Sequence, residues 1–281
     1  MKSRAPVLVA GALLASAAAV LPPGIASAEL PLAARDTAHV LPEGKWRAGI
    51  FAPLAVGIGH GVELTTSLAP WFMLSPNAAA RVELGKVGPA TVTGEYGLSL
   101  PTGSMRLLSG YLFPSYKNGQ GEVGWSLVPT AGLFVSGGKE HVLTGRLETA
   151  IGIPLGDTSV GTLETYAPIE LVYAPALTGL RARLGGMYDH AIFPWMRARA
   201  GLNGYLVGKS PYPPRSPIYL SAEAAVEFAL GGRVRLSLGA IYYNYDQRAT
   251  VTERGDDGKW RRVGVRSHDV YPTFDIIVGS R

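Results

Sequence analysis

The 281-residue chain contains no cysteine. A disulfide scaffold and a thiolate metal site are therefore both excluded. Charge is scarce as well: 17% of residues are Asp, Glu, Lys or Arg, against 47% hydrophobic. Disorder requires the opposite balance, so a folded chain is expected. Long apolar runs are also nearly missing, and the one that exists sits at the N-terminus. A chain this apolar, without runs, has to spread its hydrophobic residues in some regular pattern. Its 36 glycines point to many turns between short elements.

The N-terminal run follows Lys2 and Arg4, extends from Ala5 to Leu21, and is broken by Pro22-Pro23 before the small-residue triplet Ala26-Ser27-Ala28. That order reads as a secretory signal peptide, residues 1–28, and not as a membrane anchor, because it falls short of the ~20 residues a helical span needs. With no Cys after the cleavage site, lipoprotein attachment is excluded. Removing Lys2 and Arg4 lowers the formal charge from +5 to +3. A nearly neutral chain without a basic stripe gives no reason to expect nucleic acid as a partner. Residues 29–43 read as an N-terminal linker and residues 44–281 as one continuous unit.

From Lys45 onward the hydrophobic period is two, the signature of a strand with one apolar face. Trp46, Ala48, Ile50, Ala52 and Leu54 alternate with Lys45, Arg47 and Gly49. Val62, Leu64, Thr66, Leu68 and Phe72 form the next apolar face, ended by the turn residues Ser75-Pro76-Asn77. The pattern recurs around Val82, Tyr96, Trp125–Val135, Leu143–Ile153, Leu163–Tyr173, Leu180–Tyr188, Met196–Leu206, Ile218–Leu230, Val234–Tyr242 and Val270–Val278, making about twelve segments in all. A tilted strand crosses hydrocarbon in ~9–11 residues, which matches these lengths.

The polar face carries the charges. The candidate lumen-lining positions are Arg47, Glu63, Arg81, Glu83, Glu95, Arg146, Glu148, Glu170, Arg181, Arg183, Arg197, Arg199, Glu223, Glu227, Arg233, Arg235 and Asp275. A soluble sandwich would show the same alternation. Three features favour a membrane barrel. Aromatics stand near segment ends (Trp46, Phe72, Tyr173, Tyr188, Phe228, Tyr242), as interfacial girdles require. The signal peptide and the lack of cysteine fit export through an oxidising periplasm. The charges are mostly Arg and Glu, long enough to pair across a confined lumen. The expected fold is thus all-β: an up-and-down antiparallel transmembrane β-barrel of about twelve strands in the cell outer membrane.

Ala38-His39-Val40-Leu41-Pro42-Glu43-Gly44-Lys45-Trp46, continued through Pro53-Leu54, resembles the opening of Gram-negative outer-membrane barrels, specifically the transporter-like barrels of the meta-pathway phenol degradation family. The resemblance implies a barrel fold and passage of hydrophobic compounds, and it carries over no functional residues. The chain departs from many outer-membrane barrels by ending Ile276-Ile277-Val278-Gly279-Ser280-Arg281, without a terminal aromatic. Phe274 is the candidate signal for the barrel assembly machinery.

With the barrel's N-terminal end in the periplasm, Asp246–Val263 and Gly208–Ser216 read as extracellular loops. Pro101–Gly121 is also long, yet parity puts it at the periplasmic end. Either a strand is miscounted or this segment, with Met105, Leu107, Leu108, Tyr111, Leu112 and Phe113, packs against the barrel or folds into its mouth; packing is the preferred reading.

No motif for catalysis stands out. There is no Gly-x-Ser-x-Gly elbow, no His-Glu-x-x-His pair and no P-loop. The histidines, His39, His60, His141, His190 and His268, read as loop or interface residues. Ser267-His268-Asp269 has the residue types of a triad, but adjacent strand side chains point to opposite faces. The leading expectation is a narrow passive channel or small-solute transporter with an Arg/Glu-lined lumen. The rivals are a closed-lumen structural or surface-interaction barrel acting through its loops and, further off, a lipid-acting enzyme. Expected partners are outer-membrane lipids, the assembly machinery and a small solute, with no cofactor or metal.

Overall fold

A computed structural model describes residues 35–107, 122–158, 167–208 and 216–280. The expected signal peptide lies outside the described residues, as do most of Pro101–Gly121 and nearly all of Gly208–Ser216.

The strands are β1 (Trp46–Gly49), β2 (Leu54–Gly59), β3 (Val62–Thr66), β4 (Asn77–Val87), β5 (Ala90–Ser99), β6 (Ser126–Gly137), β7 (His141–Ile151), β8 (Ile153–Pro154), β9 (Leu180–Phe193), β10 (Met196–Val207), β11 (Ile218–Ala229), β12 (Val234–Arg254) and β13 (Trp260–Gly279). Among the described residues three helices join them: α1 (Leu68–Phe72), α2 (Thr102–Leu107) and α3 (Ala167–Thr178). All strands but β8 pair antiparallel with their chain neighbours, and β1 pairs with β13, so twelve strands close into an up-and-down barrel. The short β8 lies against the start of β6.

Which face is apolar separates this barrel from a soluble sandwich. Leu133, Leu143, Leu147, Leu184, Leu202, Leu220, Phe274 and Ile276 are exposed on the outside. Between them, on the inner face, Glu63, Arg81, Thr93, Asp189, Arg197 and Glu227 are buried. A sandwich buries its apolar face; this wall turns it outward, as a surface in contact with lipid must. Closure satisfies the backbone hydrogen bonds that hydrocarbon cannot.

The two ends of the barrel differ. At one end β2–β3, β4–β5, β6–β7, β9–β10 and β11–β12 are joined by two to four residues. The β2–β3 turn is His60-Gly61 with φ of 53° and 71°, the left-handed pair that a two-residue hairpin needs. The opposite end holds the long connections, including α1, α2 and α3. Short turns at one rim and long loops at the other are the usual asymmetry of outer-membrane barrels.

Several expectations need correction. The alternating run Lys45–Leu54 is two strands, β1 and β2, because the chain reverses at residues 50–53. Leu68 and Phe72 belong to α1, and the expected strand from Leu163 to Tyr173 is α3 over its described part. One strand missed and one strand too many leave the count unchanged, but the parity between them is inverted. The Pro101–Gly121 connection therefore belongs with the long loops, so the conflict came from a miscounted strand. Its described part, α2, also packs at the mouth, where Met105 is buried against Tyr173. Asp246–Val263 is largely a protruding β-ribbon, since β12 runs to Arg254 and β13 begins at Trp260.

The reversal after β1 is held from a distance. Asp275 on β13 accepts hydrogen bonds from the backbone N–H groups of Ile50 (2.8 Å), Phe51 (3.2 Å) and Ala52 (2.8 Å). Asp275 is thus the cap of a turn, where the sequence suggested a lumen charge. Asp275→Ala should lower unfolding stability in detergent by about 2–4 kcal/mol, because several backbone donors lose a charged acceptor at once. Asp275→Asn, which keeps an acceptor, should lose less in the same denaturant titration. The folded barrel should also migrate faster than the heated chain in detergent gels.

Candidate functional site in the barrel lumen

Alternation along each strand sends the odd-numbered positions inward on β3 through β5 and β9 through β11 and the even-numbered ones inward on β6 and β7, and the charges gather in three groups. Nearest the short-turn end on one side stands Glu63, fully buried, with Arg81 at 3.2 Å and Arg47 at 3.6 Å. Its second oxygen accepts the backbone N–H of Leu41 at 2.8 Å. Arg81 also donates to the carbonyl of Thr37, lies 3.4 Å from Glu95, and places its guanidinium 5.0 Å from the centre of the Phe134 ring.

Across the lumen, Asp189 lies between Arg197 (3.6 Å) and Arg199 (3.3 Å). Arg199 reaches Asp36 at 3.0 Å and Glu227 at 3.9 Å, and Arg35 binds Glu227 at 2.5 Å. The third group sits closer to the mouth. Glu148 pairs with Arg181 at 2.6 Å and Arg183 at 3.8 Å, and Arg146 with Glu223 at 3.4 Å.

The first two groups are bridged by a segment that the sequence suggested was a linker. Residues 35–41 run inside the barrel. Arg35 and Asp36 engage Glu227 and Arg199; Ala38 donates its N–H to Ser136 Oγ at 2.7 Å and accepts from Thr93; Thr37 accepts from Arg81; Leu41 binds Glu63. The chain then crosses β2 at Gly57, where a Cβ would lie 2.1 Å from the Pro42 carbonyl oxygen. Only glycine fits at that crossing.

On the side of β10 to β12 the mouth is filled by apolar packing. One face of α3, with Ala167, Leu171 and Ala174, lies on Tyr205, Val207, Tyr219, Tyr243 and Tyr245 of the inner wall. Its other face buries Tyr173 against Met105 and Val123, and the Tyr173 hydroxyl meets Ser104 Oγ at 2.5 Å. Tyr173 is therefore a packing residue of the mouth and no part of an interfacial girdle.

Of the expected lumen positions, Arg47, Glu63, Arg81, Glu95, Arg146, Glu148, Arg181, Arg183, Arg197, Arg199, Glu223 and Glu227 fall into these groups. Arg235 is half-buried on the same wall, and Glu83 is half-buried beside Gly61 at the short-turn end. Glu170 is buried on α3 and so comes from no strand, while Arg233 is exposed in the β11–β12 turn. Sequence reasoning missed Arg35, Asp36 and Asp189. Asp189 continues the inward, odd-numbered register of Arg181 and Arg183, and that signal could have found it.

Ser267 donates to Asp269 at 3.0 Å on the inner side, while His268 is exposed beside Tyr242 and Asn244, so these three form no relay. Among the described residues no group of three or more His, Asp or Glu is arranged to hold a metal ion.

No family model matches the sequence, and no curated protein matches it. The likeness of Ala38–Leu54 to the meta-pathway phenol degradation barrels thus rests on those residues alone. Among solved structures the chain is similar to OmpT of Vibrio cholerae expressed in the outer membrane, at 10% identity and a TM-score of 0.38 over 81% of this chain and 63% of that one. It is also similar to the in-vitro folded form of the same outer membrane protein, at 7% identity and a TM-score of 0.40 over 81% and 62%. The chain spans less than two thirds of the length of either.

Buried ion pairs cost several kcal/mol of desolvation per ion, so removing one member leaves its partner stranded. Arg199→Ala takes from Asp36 its ion-pair partner and leaves Asp189 to Arg197 and Glu227 to Arg35 alone, and should destabilise the barrel by about 3–5 kcal/mol in denaturant titrations. Arg199→Lys should recover part of that loss, because a single ammonium cannot reach all three carboxylates as the guanidinium fork does.

Proposed function

We propose that the protein is an outer-membrane barrel whose lumen is closed to free passage, and that it acts at its loop-end mouth. One observation carries this reading: residues 35–41 cross the lumen and are bonded to the wall on both sides. A water-filled pore keeps its lining charges wet, whereas here Glu63, Asp189, Arg197 and Glu227 have almost no exposed surface. The α3 packing supports the same reading from the other end. Placement in the outer membrane is supported by the exposed apolar belt and by the short-turn rim, which in such barrels faces the periplasm. Outer-membrane lipids are then partners along the belt, and the assembly machinery is a partner during insertion.

A passive channel or small-solute transporter remains compatible with the fold on one condition: the N-terminal segment has to leave the lumen. Planar-bilayer recording separates the two. The purified protein should carry no steady ion current across a range of salts. A variant lacking residues 29–41, shown by gel migration to be folded, should conduct, because the path beside α3 then reaches the short-turn end. A steady wild-type current, or a folded deletion variant that stays silent, would overturn the proposal that this segment is the seal.

A further inference from the structure

Above the ion pairs, between α3 and the inner face of β4 to β6, lies a cavity of about 300 Å³. That is the lower end of the size range for small-molecule sites. Leu98, Val128, Val172 and Pro175 give it an apolar surface, and Glu95 and Thr130 a polar one. On the outer face of the same wall runs an apolar groove of about 580 Å³, lined by Leu54, Val56, Leu64, Tyr96 and Leu98. Both spaces are bordered by Thr65, Ala79 and Gly97, so they are separated where the inward side chains are small. The backbone ladder between β3 and β4 stops at the Thr65–Ala79 pair, above which only the Thr66 hydroxyl, donating to the carbonyl of Asn77, joins the two strands.

Glu95 is the chemically informative group. Its side chain keeps 25% of its surface, and its one ion pair among the described residues, with Arg81 Nε at 3.4 Å, is made without a hydrogen bond. Among the described residues nothing donates a hydrogen bond to this carboxylate. The neighbouring Arg181, by contrast, spends both terminal nitrogens on Glu148 and the carbonyl of Leu171, its Nε alone having no hydrogen-bond partner among the described residues. A carboxylate accepts only, and in a half-apolar cavity an empty acceptor favours a bound donor. Its charge is already matched by Arg81, and a second cation would sit beside Arg81 and Arg181. The complementary ligand is therefore neutral: an apolar body with one O–H.

We propose that this cavity binds a small lipophilic alcohol, drawn from the membrane along the outer groove, with its hydroxyl donating to Glu95. The site is independent of whether the lumen conducts.

The test uses the full-length protein in lipid nanodiscs, irradiated with a diazirine-bearing decan-1-ol and digested for mass spectrometry. Labels should concentrate on peptides from β4, β5, β6 and α3, and excess decan-1-ol should suppress them while decane and decylamine do not. Ala79→Leu, which fills the cavity from the inner wall, should reduce these labels to the level of the outer wall. Glu95→Gln, which exchanges the charged acceptor for a neutral one, should weaken competition by decan-1-ol about fivefold. Gel migration checks that both variants are folded. Labels spread evenly over the lipid-facing wall, labelling indifferent to Ala79→Leu, or decane competing as well as decan-1-ol would each overturn the proposal. None of these outcomes bears on the bilayer recordings, so the two readings fail separately.

Discussion

Backbone hydrogen bonding away from water is the constraint from which the rest of this molecule follows. A strand facing hydrocarbon has no solvent to satisfy its N–H and C=O groups, so each has to find another strand, and the sheet has to close. The β1–β13 pairing achieves closure although β1 contributes only Trp46–Gly49. Where β1 ends, the Asp275 carboxylate replaces the missing strand and takes up the N–H groups of residues 50–52. A shortened wall is tolerable because a charged acceptor from the neighbouring strand completes the bonding.

Closure forces the second consequence. With every other side chain turned to lipid, the polar remainder meets inside a narrow space, and charges there lose their water. They persist only in pairs or larger sets. The wall alone leaves Glu227 and Arg199 incompletely matched, and Arg35 and Asp36 supply the opposite charges. The N-terminal segment therefore lies in the lumen for an electrostatic reason. Four of its backbone groups are taken by Glu63, Arg81, Thr93 and Ser136. The wall side chains that would otherwise be half-satisfied are satisfied by the chain that blocks the way.

The loop-end mouth follows a different rule. Apolar residues there have no lipid to face, and they pack on a helix. Ile169, Leu171 and Tyr173 look like a strand face when read two by two, yet Ile169, Tyr173 and Leu177 also recur every four residues, as do Ala167 and Leu171. Pro168 in the first turn favours helix initiation. Both faces of α3 are apolar, one against the tyrosines of β10 to β12 and the other against α2. A helix buried on two sides shows little amphipathic contrast, and its period is hard to separate from a strand's.

The sequence by itself determined the fold class, the outward apolar face and most of the charges that meet in the lumen, because a period of two is a local property and survives into the sheet unchanged. Only the tertiary structure decided where the strands stop and what fills the space they enclose. The turn after Gly49 depends on a carboxylate 225 residues away, and locally only Gly49 and Pro53 mark it. The seal depends on Arg35 and Asp36 meeting Glu227 and Arg199, more than 160 positions along the chain. In sequence that pair is indistinguishable from a solvated linker. Charge pairing acts through space, and which charges share a space is settled by closure.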